Sequence, residues 1–233
     1  VIDLMPNNRI RRKIDLALIP LGPTGNHGRS SRRRIESPLC YTTMDLRNDR
    51  IRDLSIALSA GATVSGSPYR DITRWQDNHP RERYSVSIVV QHLEHALQIA
   101  RRLPDWPIYL DINNYNLRGL PRSIRRRIST TPGFHDGRKQ IVLVDFARKF
   151  RGYCTDIIVW AGGGTDVNQI PHSWLYEKIS NPEKPLLIID FFDNYSRQTA
   201  GWSKMRRQAY RRKDIYRVRE IPLVERIRNY TEA

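Results

Sequence analysis

Cysteine is scarce in this chain. Cys40 and Cys154 are the only two in 233 residues, too few for a disulfide framework or a structural zinc site. That scarcity predicts reduced thiols in an intracellular, reducing compartment, either cytoplasmic or virion-associated. No stretch approaches the roughly 18 apolar residues of a membrane-spanning helix, and no basic-then-apolar leader opens the sequence. Hydrophobic residues make up only 39%, and mean hydropathy is −0.60. Acid is in short supply too, with 24 Asp and Glu against 40 Lys and Arg, a net charge of +16. Lysine itself is rare, so that 33 of the 40 bases are Arg.

What is present narrows the class. Five Trp and eleven Tyr argue against wholesale disorder, because disordered chains are poor in aromatics. The length suits one large domain or two small ones, at about 100–200 residues each. Arg offers a planar fork that grips phosphate and stacks on bases. The charge therefore predicts a nucleic-acid or nucleotide-phosphate partner.

Along the chain, residues 1–50 read as a basic N-terminal extension holding one strand, Ile14 to Leu21. Residues 51–233 read as an α/β domain. Leu54 to Leu58 is expected as a first strand. Residues 85–103 show helical spacing through Ile88, Val89, Leu93, Ala96, Leu97 and Ala100. Short strands are expected at Pro107–Ile112, Asp156–Trp160, Lys184–Asp190 and Ile215–Val218. Residues 138–153 fit either a strand or a helix. A short helix is expected after Thr165, a basic helix over 196–212 and a last helix from Pro222 to Tyr230. Apolar runs alternating with helices predict a Rossmann-like fold with a mostly parallel sheet.

The first candidate site is a strand followed by a glycine-rich turn. Asp156 to Trp160 leads into Ala161-Gly162-Gly163-Gly164-Thr165. Glycines after a buried strand let backbone approach a phosphate, and N–H groups of a following helix bind it. Together with Trp174 and Lys184-Pro185, this order resembles the LOG-type, "lysine decarboxylase-like" branch of Rossmann nucleotide-binding proteins. The similarity covers roughly residues 133–195. It implies a nucleoside-monophosphate site at Gly162, Gly163, Gly164 and Thr165, without a cofactor. It also implies N-glycosidic hydrolysis by an Arg, matched here by Arg138, and a Glu, whose position holds Asn168. A neutral amide lacks the charge and basicity of that Glu.

A second constellation resembles metal-dependent PD-(D/E)XK nucleases more loosely. There Asp156 and Asp190 would hold Mg²⁺ or Mn²⁺ from neighbouring strands, and Lys204 would position water. His92-Leu93-Glu94 would supply a further ligand. The third feature is the basic surface, Arg122, Arg125, Arg126 and Arg127 with Arg206, Arg207, Arg211 and Arg212. Trp202, Tyr210 and Tyr216 interleave with the second cluster, a mix suited to single-stranded nucleic acid, RNA above all. On that feature alone the chain reads as a non-catalytic RNA- or DNA-binding or assembly protein, such as a viral or ribonucleoprotein component. A homo-oligomer is compatible with each reading.

Overall fold

The computed structural model describes residues 14–21, 44–129, 139–149, 155–164, 185–194, 197–212 and 216–218. The helices expected after Thr165 and from Pro222 lie outside them. The described residues form eight strands: β1 (Ile14–Leu21), β2 (Val86–Val90), β3 (Ile108–Tyr109), β4 (Ile128–Ser129), β5 (Lys139–Leu143), β6 (Ile157–Trp160), β7 (Leu186–Asp193) and β8 (Tyr216–Val218). The helices are α1 (Asp45–Ser59), α2 (Arg70–Asn78), α3 (Leu93–Arg102), α4 (Arg122–Arg125), α5 (Val144–Lys149) and α6 (Arg197–Arg211). No described helix is long and apolar enough to cross a membrane.

All eight strands join one sheet in the order β4-β3-β5-β2-β6-β7-β1-β8, and every pairing is parallel. The fold is α/β and Rossmann-like. Parallel strands need helical crossovers, which cover both faces. That is why β2 and β6 are buried at every position. Side chains alternate between two cores. Ile88, Val90, Val159 and Ile189 join Ile51, Leu58, Ile72 and Ile99 under α1, α2 and α3. Val89, Ile158, Trp160 and Ile188 join Phe146 and Tyr210 under α5 and α6.

Three expectations need correction. Leu54–Leu58 is helix, because Ile51, Leu54 and Leu58 recur at helical spacing and bury one face of α1. Residues 86–90 are strand, and the helix starts only at Leu93. Val86, Ile88, Val89 and Val90 are β-branched, and their strand pairs with β5 and β6 on either side. Residues 14–21 are no extension outside the α/β body, since β1 sits between β7 and β8. The ambiguous stretch at 138–153 is both things in turn, β5 and then α5.

Helices α1 and α3 are joined by a buried polar contact. His95 Nε2 donates to Asn48 Oδ1 at 2.9 Å. Burial, aided by the charges of Arg47, His92 and Arg102, lowers the imidazole to about 3. The native state thus refuses a proton that the unfolded chain accepts near pH 6.5. This ring's contribution to stability is complete above that pH and is lost as pH falls from 6.5 toward 3. The loss is about 1.4 kcal/mol per pH unit. His95→Gln keeps a donor to Asn48 but cannot titrate. Its urea-unfolding free energy should fall less steeply between pH 6 and pH 4.5 than that of the parent. Equal slopes would contradict the assignment.

Candidate functional site

Strand β7 reads Leu-Leu-Ile-Ile-Asp-Phe-Phe-Asp. Its two acids, Asp190 and Asp193, are three residues apart, so alternation sends them to opposite faces of the sheet. Each meets a buried arginine from the helix layer on its own side.

On the α1 side, Arg47 is fully buried. Its Nε donates to Asp193 Oδ1 at 3.1 Å. Its two terminal nitrogens donate to the carbonyls of Ala161 at 2.7 Å and Gly162 at 3.0 Å. The guanidinium lies 5.2 Å from the centre of the Phe191 ring, which gives it a cation–π contact as well. On the α6 side, Arg206 is buried too. Its Nε donates to Asp190 Oδ2 at 3.0 Å. Its other nitrogens reach the carbonyls of Gly164 at 2.6 Å and Phe191 at 2.7 Å. One of them also lies 3.6 Å from Asp193 Oδ2, so the two ion pairs share a carboxylate. Tyr210 donates its hydroxyl to Asp190 Oδ2 at 3.1 Å. Ser203 accepts from the Asp193 backbone N–H at 3.0 Å.

Burial pushes Asp193 up from the usual carboxylate range, and the two guanidinium charges pull against that shift. The charges of Asp190 and Asp193 raise Arg206 further, against the cost of its burial. Each side chain of the network has a partner of opposite charge within the same buried cluster.

The glycine-rich turn lies between these arginines at the carboxyl edge of the sheet. Gly162 must be glycine, because a Cβ there would meet the Trp160 ring at 2.6 Å. Gly164 has φ +80, a conformation that side chains disfavour. Gly163 is buried between them. Carbonyls of this turn are occupied by Arg47 and Arg206, so the turn is stapled from both faces. Thr165, Asn168 and Arg138 lie outside the described residues.

The structure does not bring the nuclease residues together. Trp160 is level with Asp190 in the β6–β7 register. Asp156 precedes β6 and is four residues lower, about 13 Å at roughly 3.3 Å per residue. It is also committed elsewhere. Its Oδ2 accepts from the Ser85 backbone N–H at 2.8 Å and hydroxyl at 3.0 Å, and Arg81 pairs with its Oδ1 at 3.1 Å. Asp190 is held by Arg206 and Tyr210. Lys204 is exposed on the outer side of α6, and His92 lies at the opposite edge from Asp156, beyond the end of β2. Among the described residues no three of His, Cys, Asp and Glu converge on a metal position. Asp156 and Asp190 are therefore not a shared metal pair.

The basic surface is corrected in part. Arg122, Arg125 and Arg126 lie on and beside α4 with Arg122, Arg125 and Arg126 all exposed, and Arg211 and Arg212 are exposed at the end of α6. Arg207 is half-buried. Arg127 is not a surface group, because it donates to the carbonyls of Ala100, Leu103 and Trp106 and caps the end of α3. Arg206 belongs to the buried network, and so does Tyr210, which is inaccessible for stacking.

Comparison with known proteins adds a fold relationship. No family model matches the chain, and neither does any curated protein. Among solved structures, the crystal structure of T4 UvsW is similar, with a TM-score of 0.52 at 14% identity. The match spans 88% of the present chain and 40% of UvsW. The chain thus corresponds to less than half the length of that neighbour. The likeness establishes the shared α/β architecture.

Arg206→Ala should lower stability by roughly 3–5 kcal/mol, because it leaves the buried Asp190 without its charge partner and the carbonyls of Gly164 and Phe191 without their donor. Lys204→Ala, two residues away on the solvent side, should change it by less than about 0.5 kcal/mol. Urea unfolding at neutral pH separates the two. A loss below about 1 kcal/mol for Arg206→Ala would show that the network carries little of the fold.

Proposed function

We propose that this chain is a nucleic-acid-binding α/β protein, and that it holds the phosphate backbone of a single strand along the outer face of α6. The observation that carries this reading is the composition and orientation of that helix. Arg-Gln-Thr-Ala-Gly-Trp-Ser-Lys-Met-Arg-Arg-Gln-Ala-Tyr-Arg contains five bases and no acid. Arg206 is turned into the protein. Arg197, Lys204 and Arg211 recur every seven residues, which places them on one face about 10 Å apart. All three are exposed, as is Arg212 just beyond the helix. Met205 is 54% exposed between them, an apolar contact for a base or sugar. A row of exposed cations on a helix that carries no acid is the electrostatic footprint of a phosphate track.

The net charge of +16 supports the same partner by steering polyanions toward the surface. Arg122, Arg125 and Arg126 form a second exposed patch beside the edge strand β4, and α6 packs on β7 and β8 toward the other side of the sheet.

A nucleotide phosphate at Gly162–Gly164 is the second reading. It is favoured by the turn's position at the carboxyl edge of β6 between β2 and β7, where open parallel sheets hold ligands. N-glycosidic cleavage would rest on Arg138 and Asn168.

Anisotropy of a labelled single-stranded RNA across a salt series tests the first reading. Lys204→Glu with Arg211→Glu should weaken binding at least about tenfold. It should also flatten the slope of log affinity against log salt by about 0.7 for each phosphate no longer engaged. Affinity and slope equal to those of the parent would remove α6 from the interface. A nucleoside monophosphate that competes with the RNA would move the site to the glycine turn.

A further inference from the structure

At the amino edge of the sheet, on the face covered by α2, a cavity of about 220 Å³ opens between β1, β7 and α2. Its walls are Asp15 and Leu16 of β1, Leu187 of β7, and Asp71, Trp75, Asn78 and His79 of α2 and its end. Trp75 is buried with 4% of its surface exposed. It packs against the rings of His79 and Tyr84, each with centres 5.3 Å away. Its indole N–H has no hydrogen-bond partner among the described residues, although a buried donor is rarely left unmade. Asp15 and Asp71 likewise form no ion pair with any described residue. In a chain with 40 bases and 24 acids, two carboxylates on one cavity whose described walls hold no Lys or Arg stand apart.

The geometry points to a binding site for a small organic cation that also carries an acceptor oxygen, its guanidinium or ammonium group held by Asp15 and Asp71 and its oxygen by the Trp75 N–H. A planar guanidinium matches carboxylates in pairs, and an aromatic wall favours a cation near its face. A metal ion is a poorer match, because no three of His, Cys, Asp and Glu converge here among the described residues. The volume suits an amino-acid-sized molecule. A chain of this net charge repels small cations elsewhere, so a cation that binds it selectively reports a built site.

L-arginine is the probe, and citrulline, which has nearly the same shape without the charge, is its control. Calorimetric titration of the full chain should show saturable arginine binding and at least about tenfold weaker citrulline binding. Asp71→Asn and Asp15→Asn should each weaken arginine at least about tenfold. Trp75→Phe, which keeps the ring and loses the N–H, should weaken it by a smaller factor. Circular dichroism confirms that each variant is folded, and RNA affinity should be unchanged in all three, which separates this site from the α6 reading. Equal binding of arginine and citrulline, no arginine binding, or full affinity in the folded Asp71→Asn variant would overturn the proposal.

Discussion

Two arginines clamp the carboxyl edge of the sheet from opposite faces, and most of what is distinctive in this structure depends on them. Arg47 comes from α1 and Arg206 from α6. Strand β7 separates them, and its acids Asp190 and Asp193 point to the two faces. The guanidiniums direct their remaining donors to carbonyls of the glycine turn and of Phe191. Two helix layers, a central strand and a tight turn are thereby joined by one set of charges. Removing one member of such a network costs far more than the intact network contributes over an apolar substitute. Its use is geometric: it sets the rotation of α6 about its own axis. With Arg206 turned inward, Lys204, Arg211 and Arg197 have to face solvent.

This arrangement gives the same residue type two roles. Arg206 and Arg211 are neighbours on one helix, yet one is a buried structural cation and the other an exposed one. Arg127 is likewise used at the end of α3 while Arg125 and Arg126 remain outside. The exposed positive charge of the chain is therefore smaller than its charge total suggests. The glycine turn shows the converse case. Its glycines are explained by the Trp160 ring and a positive φ, and its carbonyls by two arginines, before any ligand is considered.

Much of the sheet is legible in the sequence because buried parallel strands are short apolar runs between loops. Ile14–Leu21, Ile157–Trp160 and Leu186–Asp193 announce themselves in this way. Sequence reasoning fails where two periodicities coincide. The apolar spacing of α3 continues by chance into β2, so strand and helix read as one element. Leu54–Leu58 is too short to distinguish a strand from one turn and a half of buried helix. The clamp is hidden for another reason. The inward stripe of α6 is Thr199, Ser203, Arg206 and Tyr210, a polar stripe, and polar residues at helical spacing read as surface. Only the pairing of α6 with the two acids of β7 reveals it. The cavity under α2 is invisible in the sequence because Asp15 and Asp71 are far apart along the chain and only the sheet brings them together.

One helix, then, presents a buried arginine to the sheet and a row of exposed bases to solvent, where the proposed nucleic acid would lie. Arginine- and lysine-selective chemical modification, read residue by residue by mass spectrometry with and without single-stranded RNA, tests this directly. Arg47 and Arg206 should resist modification in the native protein under both conditions. Lys204, Arg211 and Arg212 should react in the free protein and be protected when RNA is bound. Modification of Arg206 at the rate of Arg211, or no protection of Lys204 and Arg211 by RNA, would contradict this division of roles.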